Sequence, residues 1–358
     1  ILLIPTTLMG MTLPLLTQSF VHRVETSGSV IGILYGINTL GAAFGTVLAG
    51  YVLIGIYGFD GTIIFAVAMN AIVGLFAVIL ARWKERDVQQ VESEKSLANP
   101  VTQWGYKTIL AASFLVGFIG LGFEMLWVRI LHIVNKSTAY SFPSILFIFL
   151  LGLALGGYIF GRAADKSKNP VLLFCKIELV GAAIATLTLL AFWWSLDVNP
   201  PSVESFFETQ KPSLPFLKIQ REFVLSKRLL FANLWGYFKP IVILVFPASV
   251  VLGGGLPVLD RISINNPSLA GRRVGDIHLA NIIGSVTGTL VISFVLLPAI
   301  GSEWTLKLLS LLTVSFSIFY FLNRSGQNNS KRDLQHLLGF GTVLLLGVLL
   351  TPGKGQFY

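Results

Sequence analysis

Apolar residues fall in ten long blocks, at about 3–20, 31–54, 61–81, 109–131, 139–161, 171–194, 239–256, 277–297, 304–322 and 335–351. A helix needs roughly 20 apolar residues to span the hydrocarbon core of a bilayer, and the blocks are of that order. A membrane β-barrel would instead alternate apolar and polar residues over strands of about ten, and these blocks do not alternate. The pattern predicts an all-α fold: a polytopic transmembrane helical bundle of about ten spans.

The polar positions inside two of these blocks repeat. The stretch "GSVIGILYGINTLGAAFGT" from Gly28 and the stretch "GRRVGDIHLANIIGSVTGT" from Gly271 share one frame of Gly, Asn and Thr. At a constant offset of 243 the match extends over some 50 positions without a gap. Gly10, Leu13 and Pro14 pair with Gly253, Leu256 and Pro257, and Gly58 pairs with Gly301. Such self-similarity predicts an internal duplication. Three spans (109–131, 139–161, 171–194) precede the block at 239–256, whereas none precedes its equivalent at 3–20. The expected parent is therefore a six-plus-six bundle with an extra helix, of which residues 1–81 form the last three helices of the first repeat. Residues 82–108 are then a cytoplasmic linker, 109–322 the second six-helix repeat with an outer loop at 195–238, and 323–358 the terminal helix.

Within the repeat, Asn38, Gly41 and Gly45 lie at i, i+3 and i+7, one stripe of a helix. Small residues let a second helix approach closely, and an amide in lipid needs a partner. Two readings stay open for Asn38 and its equivalent Asn281: a packing seam with one hydrogen bond, or a polar pair binding a ligand near the symmetry axis. The stretches "MGMTLP" and "LGGGLP" invite helix breaks, which in transporters mark binding sites when they occur in both halves. A simple kink is the competing reading.

Composition agrees with a membrane setting. The chain is 54% hydrophobic and 12% charged, whereas soluble domains carry about 25% charged residues. The net charge of +9 would suggest nucleic acid in a soluble protein, but its placement argues otherwise. Arg and Lys cluster in alternate connections, at 21–30, 82–108, 162–170, 257–276 and 323–334, while the short connections 55–60, 132–138 and 298–303 hold only Lys136. This asymmetry puts the basic set of a multi-pass chain in the cytoplasm; the bacterial cytoplasmic (inner) membrane is the setting that the resemblance described below implies. The expected partner is then the lipid bilayer and not nucleic acid. By the same count a crossing span at 335–351 carries the carboxyl end to the outer side, the alternative being a helix that lies in the interface without crossing.

Charges inside the apolar blocks are the candidates for chemistry, because they are expensive there. Glu124 and Arg129 lie in "GFEMLWVRIL", about 140° apart around a helix, so each needs a partner from another element. Arg129 also has the option of snorkelling outward. Glu178 lies just inside the next-but-one block and would face a cationic substrate. The single Cys175 excludes an intrachain disulfide and a cysteine-based metal site, and the four histidines, His22, His132, His278 and His336, sit near block ends. No nucleotide-binding, hydrolase or metalloprotease motif is present, so no catalytic residue, metal or cofactor is expected from this chain.

In "GLALGGYIFGRAADKSKNP", Gly161, Asp165 and Lys166, with Arg162 between them, fit the first part of the G-x-x-x-D-[RK] cytoplasmic loop of the major facilitator superfamily. The Gly-Arg-Arg continuation of that loop is replaced by Lys168, Asn169 and Pro170. Together with "GFEMLWVRIL", "FLLGLALGGYIFGR", "LMGMTLPLL" and "IGILYGINTLGAAFGTVLAGYVLIGIYG", this loop resembles the membrane region of bacterial proteins in which major-facilitator-like helices are fused to a spermidine synthase-like domain. The resemblance covers essentially all of 1–350. It implies an aminopropyltransferase-like soluble domain after the last helix, and no such domain lies within these 358 residues.

Two functions are expected. One is a transporter-like module for a polyamine or related small cation, with Glu124, Glu178 and Arg129 as the intramembrane charges and Asn38 and Asn281 as the polar pair. The other is a non-transporting anchor or scaffold that holds a synthase-like domain or serves as an accessory subunit of a larger membrane complex.

Overall fold

The computed structural model describes residues 3–84, 104–134, 140–198, 227–322 and 331–350, which are almost entirely helical. Eleven α-helices follow in order among them: α1 (Leu3–Phe20), α2 (Ser27–Val47), α3 (Ile54–Lys84), α4 (Tyr106–Val134), α5 (Ser141–Lys166) and α6 (Pro170–Val198), then α7 (Lys227–Leu252), α8 (Gly255–Ser263), α9 (Ala270–Val291), α10 (Leu297–Leu322) and α11 (Lys331–Leu350). Six apolar helical stretches are long enough to cross a membrane. The fold is an all-α bundle suited to a multi-pass membrane protein in a lipid bilayer. The predicted outer loop 195–238 and linker 82–108 fall largely outside the described residues, as does the carboxyl end.

The backbone repeats where the sequence does. A short 3-10 turn at Val24–Thr26 leads into α2, and another at Pro267–Leu269 leads into α9. Both helices are followed by a π-helical segment, Leu48–Leu53 in one case and Ile292–Leu296 in the other. Beyond each lies a glycine outside helical space, Gly58 with φ 68° and ψ −173° and Gly301 with φ 77° and ψ 177°. Only glycine adopts that conformation readily, because a Cβ would clash with the backbone. The connections predicted at 55–60 and 298–303 are therefore not loops: helix resumes immediately after one residue.

The contacts are reciprocal as well. Helix α1 packs on α9 and α8 packs on α2, while α1 touches α2 and α8 touches α9. A small apolar core joins these four elements through Leu13, Val21, Val24, Ile31, Ile264, Ala270 and Val274. In it Val21 and Ile264, and Ile31 and Val274, are repeat equivalents. The larger core fills the space among α4 to α11, with Phe123, Trp127, Phe174, Phe316 and Tyr320 fully buried.

Glycines set the closest helix approaches. Along α2, Gly28 and Gly32 face Gly161 and Gly157 of α5, and a Cβ on Gly32 would come within 2.5 Å of the Gly157 carbonyl. On another face of α5, Gly152 and Gly156 lie against Ser249 and Val250 of α7. The same logic appears at α9, where Gly284 and Gly288 meet the backbone of Phe114 and Phe118 in α4. In contrast, α3 is exposed over almost its whole length.

Candidate functional site around a broken helix

The two proline-bearing segments behave differently. "MGMTLP" stays within continuous α1, which contains Pro14. "LGGGLP" breaks: α7 ends at Leu252, Gly253 and Gly254 form a turn, and α8 starts at Gly255. Close packing leaves no room for side chains at the break. A Cβ on Gly253 would meet the Leu153 backbone at 2.5 Å, one on Gly254 would meet the Phe160 ring at 2.5 Å, and one on Gly255 would overlap the Glu178 carboxylate. Pro257 follows in the first turn of α8, where a missing N–H costs no helical bond.

Helix α8 lies at the centre of the bundle, in contact with α2, α4, α5, α6 and α9. The charge pattern of the sequence places 257–276 in a cytoplasmic connection. Within it, residues 257–263 belong to helix α8 and Asp260 is wholly buried. Positive residues flanking the segment disguise it, because Arg261, Arg272 and Arg273 raise its polarity. Arg261 is itself nearly buried in a salt bridge, and Arg273 stacks over the Tyr106 ring at 4.0 Å.

Two carboxylates mark the site. Glu178 of α6 is 1% exposed and sits beside Gly255, at the first turn of α8. Its Oε1 has no hydrogen-bond partner among the described residues. The amino-terminal end of a helix carries partial positive charge, which favours a carboxylate there. Asp260, near the other end of α8, places Oδ2 3.1 Å from Nε2 of His278 on α9, and its Oδ1 likewise has no hydrogen-bond partner among the described residues. The Tyr35 ring lies 6.4 Å from that of His278.

The other predicted residues are distributed around this centre. Glu124 is buried in α4, 7% exposed, and Arg129 is half-buried further along the same helix. Asn281 donates to the Ser113 carbonyl of α4 at 3.2 Å. Asn38 is exposed. The loop residues Gly161 and Asp165 do come together with the first half. Asp165 accepts from Gly28 N at 2.9 Å, Ser29 N at 2.7 Å, Ser29 Oγ at 2.5 Å and Arg261 Nε at 3.1 Å. It thus caps α2, while Arg261 joins α8 to the same carboxylate. Arg162 and Lys166 are exposed, with the Arg162 guanidinium over the Tyr158 ring.

Asp260 and Tyr35 were missed by sequence reasoning, and His278 was noted only as a histidine near a block end. The available signal was that Tyr35 and His278 occupy equivalent positions of the repeat, both capable of hydrogen bonding. Among the described residues no group of three His, Cys, Asp or Glu side chains could hold a metal ion. No protein-family model matches this chain, and neither a curated protein nor a solved structure matches it.

Proposed function

We propose that this chain is a transporter-like membrane module that holds a small cation between Glu178 and Asp260, at the two ends of α8. The observation that carries this reading is the pair of buried carboxylates along a helix broken at the bundle centre, each with one oxygen unmatched by any described donor. Buried carboxylates of this kind attract a cation or a proton, and broken helices line such sites in transporters. The resemblance to spermidine synthase-like fusion proteins supports a polyamine as the cation and a bacterial inner membrane as the setting.

The architecture we infer is a duplicated, major-facilitator-like bundle of about ten spans. The apolar stretches Val24–Arg82 and Pro267–Leu322 run for 59 and 56 residues. As single helices they would reach about 85 Å, nearly three times the hydrocarbon core. Dividing each at its non-helical glycine yields two spans apiece, and α1 and α11 complete the count. Matching turns, π segments and glycines at the 243-residue offset support the duplication.

The test is uptake of labelled spermidine by proteoliposomes containing the purified chain. Accumulation above that of empty liposomes, lost in Glu178→Gln and Asp260→Asn, is the expected result. Uptake equal to that of empty liposomes would overturn the proposal. That outcome would favour the second reading, a static anchor or accessory subunit, for which the glycine contacts of α2 with α5 and the Asp165 clamp speak.

A further inference from the structure

The pair formed by Asp260 and His278 differs in charge from its repeat equivalents. At the 243-residue offset those equivalents are Thr17 and Tyr35, and neither side chain ionises near neutral pH. Thr17 is as fully buried as Asp260. One half of the repeat therefore packs with two uncharged side chains where the other carries a carboxylate and an imidazole. Packing by itself does not call for the charged version.

The Asp260 side chain is 1% exposed, with Oδ2 3.1 Å from His278 Nε2 and with Oδ1 lacking a hydrogen-bond partner among the described residues. Other titratable groups on the surrounding elements are engaged or placed elsewhere. Arg261 of α8 is held by Asp165 of α5, whose Arg162 pairs with Tyr158 and whose Lys166 is exposed. On α9, Asp276 accepts from the Tyr106 hydroxyl of α4 at 2.6 Å, Arg272 lies 4.0 Å from Asp276, and Arg273 stacks on the Tyr106 ring. Lys107 of α4 is exposed, and Glu124, Arg129 and His132 lie in the second half of that helix. On α6, Cys175 donates to the Phe316 carbonyl, Lys176 is half-buried, and Glu178 stands beside Gly255 at the opposite end of α8. Tyr35 is the titratable residue of α2, and α1 has none. Among the described residues, His278 is the group set against the Asp260 charge.

A buried carboxylate is retained as an anion only with a positive charge beside it. With no cation bound, a proton on His278 supplies that charge. A cation arriving at Asp260 would put a second positive charge on the same carboxylate, and like charges at this range disfavour one another. His278 is the member with an exit for the proton, since its side chain is 18% exposed against 1% for Asp260.

We propose that Asp260 and His278 form a proton-exchange site, in which one proton leaves the imidazolium as one cation binds the carboxylate. The imidazolium N–H bond breaks, its electron pair stays on the nitrogen, and water carries the proton away. The pair holds one positive charge before and after the exchange. This inference rests on the cation site proposed above and names the ion exchanged there.

The experiment uses the purified full chain in detergent micelles, with labelled spermidine as the probe and equilibrium dialysis at pH 6 and pH 7, where the spermidine amines stay protonated. Release of one proton per cation bound makes the apparent Kd about tenfold weaker at pH 6 than at pH 7. His278→Gln, which keeps an amide donor but no titratable nitrogen, should remove that dependence. In 15N spectra of the histidine-labelled chain, the His278 signal, identified by its loss in the variant, should be an imidazolium at pH 6 and a neutral imidazole once spermidine saturates the site. Equal affinity at both pH values, or an imidazolium that persists in the complex, would overturn the exchange and leave the cation site standing. A tenfold dependence retained in His278→Gln would overturn the role given to His278. No bound spermidine at either pH would overturn the cation site, and the exchange with it. The two affinities of the parent chain decide the exchange even where the variant does not fold.

Discussion

Tyr35 and His278 occupy the same position in two helices that repeat 243 residues apart, and their rings meet with centroids 6.4 Å apart and planes at 55°. Helix α1 packs on α9 and α8 packs on α2 in a reciprocal arrangement. One partner is an imidazole, and it is held by buried Asp260.

Removing that imidazole should be costly. His278→Ala leaves Asp260 buried without the imidazole it pairs with, and the loss should be about 3–5 kcal/mol if Asp260 remains charged. Asp260→Ala in the same chain should restore a large part of it. Unfolding of the single and double variants in mixed micelles gives the coupling, and purely additive losses would show that the pair is not energetically linked.

Asp165 should behave as a clamp between the two parts of the chain. Asp165→Ala removes the cap of α2 and strands Arg261, an effect of about 2–4 kcal/mol. Ser29→Ala removes the hydroxyl bond to this carboxylate and should cost about 1 kcal/mol. Lys166→Ala, on the exposed neighbour, should change the melting temperature little. A larger effect for Lys166→Ala than for Asp165→Ala would contradict the assignment.

The two non-helical glycines should be equally intolerant. Gly58→Ala and Gly301→Ala each force a side chain into a conformation strained by about 1–3 kcal/mol. Gly74→Ala, in open space on the helical part of α3, should be neutral or stabilising by up to about 1 kcal/mol. Thermal melts of the three variants make the comparison, and an unaffected Gly301→Ala would show that the break is not conformationally required.

Glu178 should separate stability from function. An unmatched buried carboxylate is a liability for folding, so Glu178→Gln should melt at or above the parent temperature while abolishing spermidine uptake. Gly255→Ala should also abolish uptake, because the new methyl displaces the carboxylate from the start of α8. Full uptake by Gly255→Ala would show that the position of Glu178 beside α8 is irrelevant.

Much of this molecule was legible in one dimension. Apolar blocks of this length without alternation demanded helices, which satisfy the backbone within a single segment in hydrocarbon. The spacing of Gly28, Asn38, Gly41 and Gly45 with their equivalents located the repeat. The pairing of Gly58 with Gly301 even marked the two breaks, although the φ of either glycine was not predictable from pattern alone. What the sequence left undecided depends on which faces meet. Gly41 and Gly284 are the same residue in the same frame, yet one faces open space and the other the Phe114 carbonyl. Asp260 sits among positive residues in a stretch that reads as a loop, and its burial goes with the packing of α8 against α2, α4, α5, α6 and α9. Helix formation is local, set by neighbours three and four residues away. Burial of a carboxylate is decided by residues far off in the chain, as Glu178 of α6 is by Gly255 of α8, and for that the packed bundle is needed.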